Sequence, residues 1–203
     1  MYKVFFNQKP IVLTTVITTP KEDSPFFYVK FTNKKFIVHV LKSKKVKMLF
    51  LYHSKEEKLW YYFFNMFKLI EAAGGLVRNL NTNQFLFIFR NKKWDLPKGR
   101  INKNEDVKNA AIREVEEETG VENLSIIKPL NTTFHIFKKN RKYRLKKTFW
   151  YSMTTDYDKE LTPETREGIE KAIWINKDSI PSLKNKMYRN INLVISSYFD
   201  FNK

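Results

Sequence analysis

The 203-residue sequence predicts an α/β protein, a mixed β-sheet held between helices and preceded by a small α+β N-terminal region. Three observations lead there. Short runs rich in β-branched and aromatic residues recur along the chain. The segment Asp106 to Thr119 has helical periodicity and ends at Gly120, the usual residue after a helix. A closing run, Leu183 to Tyr198, places Met187, Ile191, Val194 and Tyr198 on one helical face.

Residues 1–17 read as a strand pair around Asn7-Gln8-Lys9-Pro10, followed by a polar stretch with Pro20 and Pro25. Phe26–Phe31, Phe36–Leu41 and Val46–Tyr52 have strand composition. Ser54–Ala73 reads as a helix: Ser54 and Glu57 have capping-box spacing, and Leu59, Tyr62, Phe63, Met66 and Ile70 keep a helical period. Gly74-Gly75 ends it. Residues 1–70 hold no catalytic motif, and their aromatics read as core rather than as a base-stacking platform. They form one expected region of unknown role, with residues 71–203 as the domain that carries the chemistry.

In that second region, Gly75–Asn79 and Gln84–Arg90 read as strands joined by the turn Asn81-Thr82-Asn83. The helix of Asp106–Thr119 comes next. Ser125–Phe137 and Arg144–Thr155 are long strand-like runs around the basic turn Lys138–Lys142. Ala172–Asn176 is a short strand before the closing helix.

At 42% hydrophobic and 16% aromatic the chain can bury a substantial core. It has no cysteine, which excludes a disulfide framework and a thiolate metal site. That usage, with no signal-peptide pattern after Met1-Tyr2-Lys3, sets a cytoplasmic expectation. The apolar run Trp60–Ile70 is too short to span a bilayer and is broken by Asn65 and Lys68, so no membrane partner is expected. Net charge is +17, and residues 1–70 contribute +9 from 13 basic and four acidic residues. Such an excess draws polyanions, nucleic acid or highly phosphorylated metabolites. Solvated lysines of a biased composition are the plainer account.

The most informative segment is Gly99–Val121, GRINKNEDVKNAAIREVEEETGV, with six acids in the fourteen residues from Glu105 to Glu118. At about 100° per residue, Glu114, Glu117 and Glu118 fall within or beside the apolar arc of Val107, Ala110, Ala111 and Val115. Glu116 faces solvent. Like charges three and four apart repel by roughly 0.2–0.5 kcal/mol per pair. Glu117 and Glu118 also oppose the helix dipole, at roughly 0.3–1 kcal/mol each. Burial enlarges both penalties, and a hard divalent cation would remove them. Glu105 and Arg113, opposite charges at the two ends of the loop–helix junction, suggest a salt bridge that fixes the loop.

This segment resembles the Nudix box at every specified position: Gly99, Glu105, then Arg113-Glu114-Val115-Glu116-Glu117-Glu118-Thr119-Gly120-Val121. Ala72-Ala73-Gly74-Gly75-Leu76-Val77 is similar to the family's opening strand, and Trp94-Asp95-Leu96-Pro97-Lys98-Gly99 to its lead into the box. The resemblance covers roughly residues 71–203. It implies the Nudix α/β/α sandwich with a mixed β-sheet. It also implies pyrophosphate hydrolysis of a nucleoside diphosphate linked to another moiety, with Mg²⁺ or Mn²⁺ held by Glu114, Glu117, Glu118 and the carbonyl of Gly99. Glu105 and Arg113 join the catalytic set through their loop-fixing role. The general base is Glu114 or an acid of the loop Leu161–Glu170, with Glu167 favoured as a helper that reaches the metal site.

Leu96-Pro97-Lys98-Gly99 resembles Nudix enzymes of dinucleoside polyphosphates and diphosphoinositol polyphosphates, with Lys98 holding a distal phosphate. Lys146-Lys147-Thr148-Phe149-Trp150-Tyr151 is similar to a phosphate-binding strand of that branch. Alternation puts Lys147, Phe149 and Tyr151 on one face, so Lys147 and Tyr151 are the expected substrate contacts. The expected partner is a small-molecule polyphosphate substrate, and homodimerisation is expected by family analogy. Two alternatives stand beside the enzyme of small polyphosphates: a catalytically weak Nudix-like sensor or nucleic-acid-binding regulator, and an RNA 5′ pyrophosphohydrolase. The full set of box glutamates counts against the sensor.

Overall fold

The computed structural model describes residues 2–199. Strands β1 (Tyr2–Phe6), β2 (Lys9–Thr14) and β3 (Phe26–Tyr28) come first, then helix α1 (Lys34–Lys42), β4 (Leu49–Tyr52) and helix α2 (Glu56–Asn65). β5 (Lys68–Asn79), β6 (Phe85–Arg90), β7 (Lys93–Asp95) and β8 (Lys98–Arg100) lead into helix α3 (Val107–Thr119). β9 (Ser125–Pro129), β10 (Thr133–Lys139), β11 (Lys142–Thr155) and β12 (Ile169–Ile175) follow, then a 3-10 stretch, Lys177–Lys186, and helix α4 (Arg189–Phe199). Among the described residues, no helix is long and apolar enough to cross a membrane. The chain folds as two compact units, one of residues 1–70 with Phe134–Lys147, the other of Glu71–Thr133 with the chain from Thr148 onward.

In the first unit β1 pairs antiparallel with β2 and parallel with β10, and β4 lies parallel to both β2 and β3. Its core joins Val4, Ile11, Leu13, Leu49 and Leu51 from the strands to Ile37 and Leu41 of α1 and Leu59 and Phe63 of α2. The strand expected over Phe36–Leu41 is instead part of α1. The Asn33 side chain caps it, accepting from the Phe36 N–H at 3.0 Å. Ile37, Val38 and Leu41 turn to the core at helical spacing, so packing overrides the β-branched composition.

The helix expected to reach Ala73 stops at Asn65. The Ser54–Glu57 box does not form: Lys55 occupies the cap position with no side-chain bond, and its N–H goes to His53 Nδ1 at 3.0 Å. From Lys68 the chain is extended, and Gly74-Gly75 lie inside β5. They are there for closeness. A Cβ on Gly74 would run into the Pro97 carbonyl and the Lys98 side chain of β8, and one on Gly75 would sit 2.7 Å from Met153 Sδ.

In the second unit the strands run β12-β6-β5-β11, with β7 on β6, β8 on β5 and β9 on β11. Alternation gives the sheet two apolar faces. Ala73, Val77, Leu86 and Met153 meet Ala110, Ala111 and Val115 of α3, while Leu76, Phe85, Phe87 and Trp150 meet Ile191, Val194 and Ile195 of α4. This is the helix–sheet–helix sandwich of the sequence reading. The closing helix is shorter than expected: Met187 is extended and separates the 3-10 stretch from α4. Ser125–Phe137 is two strands rather than one. The turn between β10 and β11 is tight, with Asn140 and Arg141 both at positive φ.

Candidate active site

α3 begins at Asp106, whose carboxylate accepts from the N–H groups of Lys108 and Asn109 at 2.9 and 3.1 Å. It ends at Gly120, which takes φ 73° and returns its N–H to Glu116 O at 2.8 Å. Both ends are thereby fixed, and the carboxylates between them have defined directions.

Arg113 is the organising residue. Its Nε and Nη2 donate to the two oxygens of Glu105 at 2.7 and 2.9 Å, and Nη2 also reaches Arg100 O at 3.1 Å. Its Nη1 donates to Glu114 Oε1 and Glu117 Oε2, both at 2.8 Å. The loop-fixing bridge read from the sequence is therefore formed, and the same guanidinium grips two box glutamates. Arg113's hydrogen bond, helped by the Asn102 N–H, pulls the Glu105 carboxyl down to about 2. Burial pushes Glu114 above the usual carboxylate range against the pull of Arg113, and the charges of Glu117 and Glu167 add to it.

Glu114 lies against the α-carbon of Gly99, and any side chain at 99 would collide with its carboxylate. Glu118, one turn further on, is almost fully buried, accepting from the Lys98 N–H at 2.8 Å and from Arg90 Nη1 at 3.3 Å. Burial outweighs those partners and raises its carboxyl to about 7. Glu117 departs from the helical reading, with a side chain 58% exposed. Only two of the three glutamates are interior.

Two residues without a role in the sequence reading complete the buried network. Asp95 Oδ2 accepts from Arg90 Nε and Nη2 at 3.2 and 3.1 Å and from Lys98 Nζ at 2.8 Å, and Oδ1 takes the Leu96 N–H at 2.9 Å. Burial works against the Asp95 charge, yet Lys98 and Arg90 hold its carboxyl below the ordinary value. Asp95 stands inside the lead-in hexapeptide, but only the β6–β7 register, Ile88 opposite Asp95, brings it to Arg90.

Lys98 itself corrects an expectation. Rather than offering its ammonium to a distal phosphate, the side chain is buried and committed to Asp95. Glu167 ends the 3-10 turn Thr165–Glu167, on a loop tied to the end of α3 through Thr162 N to Thr119 O at 2.9 Å and Glu164 N to Glu118 O at 3.2 Å. Tyr151 packs with Phe149 against the α3-side core, and burial, with the Asp106 charge adding, raises its hydroxyl. Lys147 belongs to the other unit.

Among the described residues, no three acidic or histidine side chains stand ready around one metal position. The donor chemistry nonetheless fits a hard divalent cation. The oxygens of Glu114 lie directly on Gly99, in a space that a Cβ would fill. Glu117 is exposed and shares Arg113 Nη1 with Glu114, so two hard oxygen donors stand on one guanidinium.

A NUDIX domain model matches residues 68–194. The m7GpppN-mRNA hydrolase dcap-2 of Caenorhabditis elegans is 33% identical over 98 residues, 48% of this chain and only 12% of that protein. The RNA pyrophosphohydrolase of Bartonella tribocorum is 26% identical over 136 residues, 60% of this chain and 79% of that protein. The solved E. coli dihydroneopterin triphosphate pyrophosphohydrolase overlays 66% of this chain and 96% of its own, with a TM-score of 0.50 at 15% identity. That likeness speaks to the fold.

Proposed function

This chain belongs to the NUDIX family, and on that premise we propose that it is a divalent-metal-dependent pyrophosphohydrolase. Its substrate is a nucleoside diphosphate linked to a further moiety, a dinucleoside polyphosphate or similar polyphosphorylated nucleotide. The observation that carries this reading is the Arg113 node. One guanidinium locks the box loop through Glu105 and holds Glu114 and Glu117 on the same nitrogen, with Glu114 against Gly99.

Mg²⁺ or Mn²⁺ would be held by Glu114, Glu117, Glu118 and the Gly99 carbonyl. When bound, it neutralises phosphate oxygens and lowers the pKa of a water ligand. The chain's own residues do the rest. Glu105 and Arg113 keep the loop and the helix in register. Glu118, fixed by the Lys98 N–H and Arg90, anchors the interior side. Glu167, close enough to raise the Glu114 carboxyl, takes the proton from the attacking water at its carboxylate, with Glu114 as the other candidate base. Tyr151 offers a ring for the nucleoside.

A second reading, pyrophosphate removal from an RNA 5′ end, is favoured by the names of the curated relatives. A panel of dinucleoside polyphosphates, diphosphoinositol phosphates, nucleotide sugars and triphosphorylated RNA separates the two. Glu117→Gln should lower turnover on the best substrate by at least about 100-fold with an unchanged melting curve. Full activity in that variant would overturn the metal assignment.

A further inference from the structure

The two units differ in charge far more than the sequence order suggests. Residues 1–70 with Phe134–Lys147 hold 20 Lys and Arg against four Asp and Glu, which is +16 of the chain's +17. The other unit holds 18 against 17. A compositional bias acting on the whole chain would enrich both alike. Here basic residues are balanced by acids in one unit and unbalanced in the other.

The basic unit also carries connected rings at the edge of its core, with Tyr62 packed against it and Phe31 and Tyr61 exposed. Tyr28 of β3 lies 5.4 Å from Phe31, 5.8 Å from Tyr52 of β4 and 5.0 Å from His53, on which it stacks. His53 leads on to Tyr62 at 5.8 Å and Tyr62 to Tyr61 at 5.5 Å. Only His53 is buried. Phe31 is 81% and Tyr61 60% exposed, and each has a lysine over its ring, Lys30 at 6.0 Å and Lys58 at 5.8 Å. Exposed rings of this size are surface that a partner can cover, and the lysines beside them are drawn to the ring faces by cation–π attraction.

We propose that these exposed rings and the lysines of this unit bind a single-stranded polynucleotide. Bases stack on the exposed rings, while lysines neutralise the phosphates. Charge complementarity names a polyanion, and the rings select one with free π-faces. A duplex hides its bases, and a compact polyphosphate would leave the rings unused. The proposal is independent of the catalytic reading, because the binding needs neither metal nor turnover.

The test uses the full chain in EDTA with fluorescein-labelled 15-nucleotide RNA and DNA carrying 5′-hydroxyl ends, followed by anisotropy across a salt series. The expected result is binding of single strands with log K falling linearly in log salt, by about 0.7 per phosphate neutralised. Phe31→Ala with Tyr61→Ala should weaken it by roughly tenfold or more at an unchanged salt slope. Lys30→Gln with Lys58→Gln should flatten the slope. Preference for RNA or for DNA supports the proposal either way and identifies the polynucleotide. It is overturned if the aromatic variant binds like the parent, or if a duplex or inorganic polyphosphate competes equally per phosphate. Binding to anionic phosphatidylserine vesicles without binding to oligonucleotide also overturns it.

Discussion

Arg113 serves Glu105 twice, a backbone carbonyl, Glu114 and Glu117 with one planar fork. An ammonium keeps the charge but cannot span those directions. Arg113→Lys should therefore cost roughly 10–100-fold in activity and raise the metal concentration needed for half-activation, read by titrating metal against initial rate. Unchanged metal dependence would reduce Arg113 to a loop clasp. Glu105's depressed carboxyl adds stability that is complete above about 4.5 and lost as pH falls towards about 2. Glu118 has the opposite sign. Its carboxyl, raised to about 7, costs nothing below the unfolded value of about 4.5, and its penalty grows as pH rises through 7. At 1.36 kcal/mol per tenfold, the full penalty is roughly 3 kcal/mol. In EDTA, Glu118→Gln should gain thermal stability over the parent as pH is raised from 5.5 to 8. A gap that stays flat across that range would contradict the burial argument.

At the scale of elements, β5 makes the clearest prediction, because its two glycines look alike in sequence and differ in what surrounds them. The neighbours of Gly74 are the Pro97 carbonyl and the Lys98 backbone, which cannot yield. Gly75 meets the end of Met153, which can rotate away. Gly74→Ala should destabilise by roughly 1–3 kcal/mol in urea titration, and Gly75→Ala by clearly less. The reverse order would mean that β8 is not held where it is seen. The same strand shows where sequence reasoning stops. α3 was legible because its caps, Asp106 and Gly120, are local. α1 was not, since Phe36–Leu41 is β-branched and aromatic, and the Asn33 cap and three core contacts decide it. The glycine pair looked like a helix stop because close approach between strands leaves no mark in local sequence.

Across the whole molecule, the residues that arrive together in one segment were readable, and those assembled by folding were not. Glu105, Arg113, Glu114, Glu117 and Glu118 stand within one segment, where the resemblance to the box picks them out together. Arg90 and Asp95 become partners only through a hairpin register, and that partnership is what takes Lys98 out of solvent. The charge asymmetry was blurred for the same reason, because Phe134–Lys147 joins residues 1–70 in space and not in order.

The loop that carries Glu167 is fastened to the end of α3 by two peptide hydrogen bonds, with Leu161 packed against the core beside them. The peptide hydrogen bonds of that tether are indifferent to side-chain identity beyond Leu161. Over evolutionary divergence its residues can be exchanged one by one while the loop keeps its address, so an acid can migrate a position or two along it without the scaffold being rebuilt.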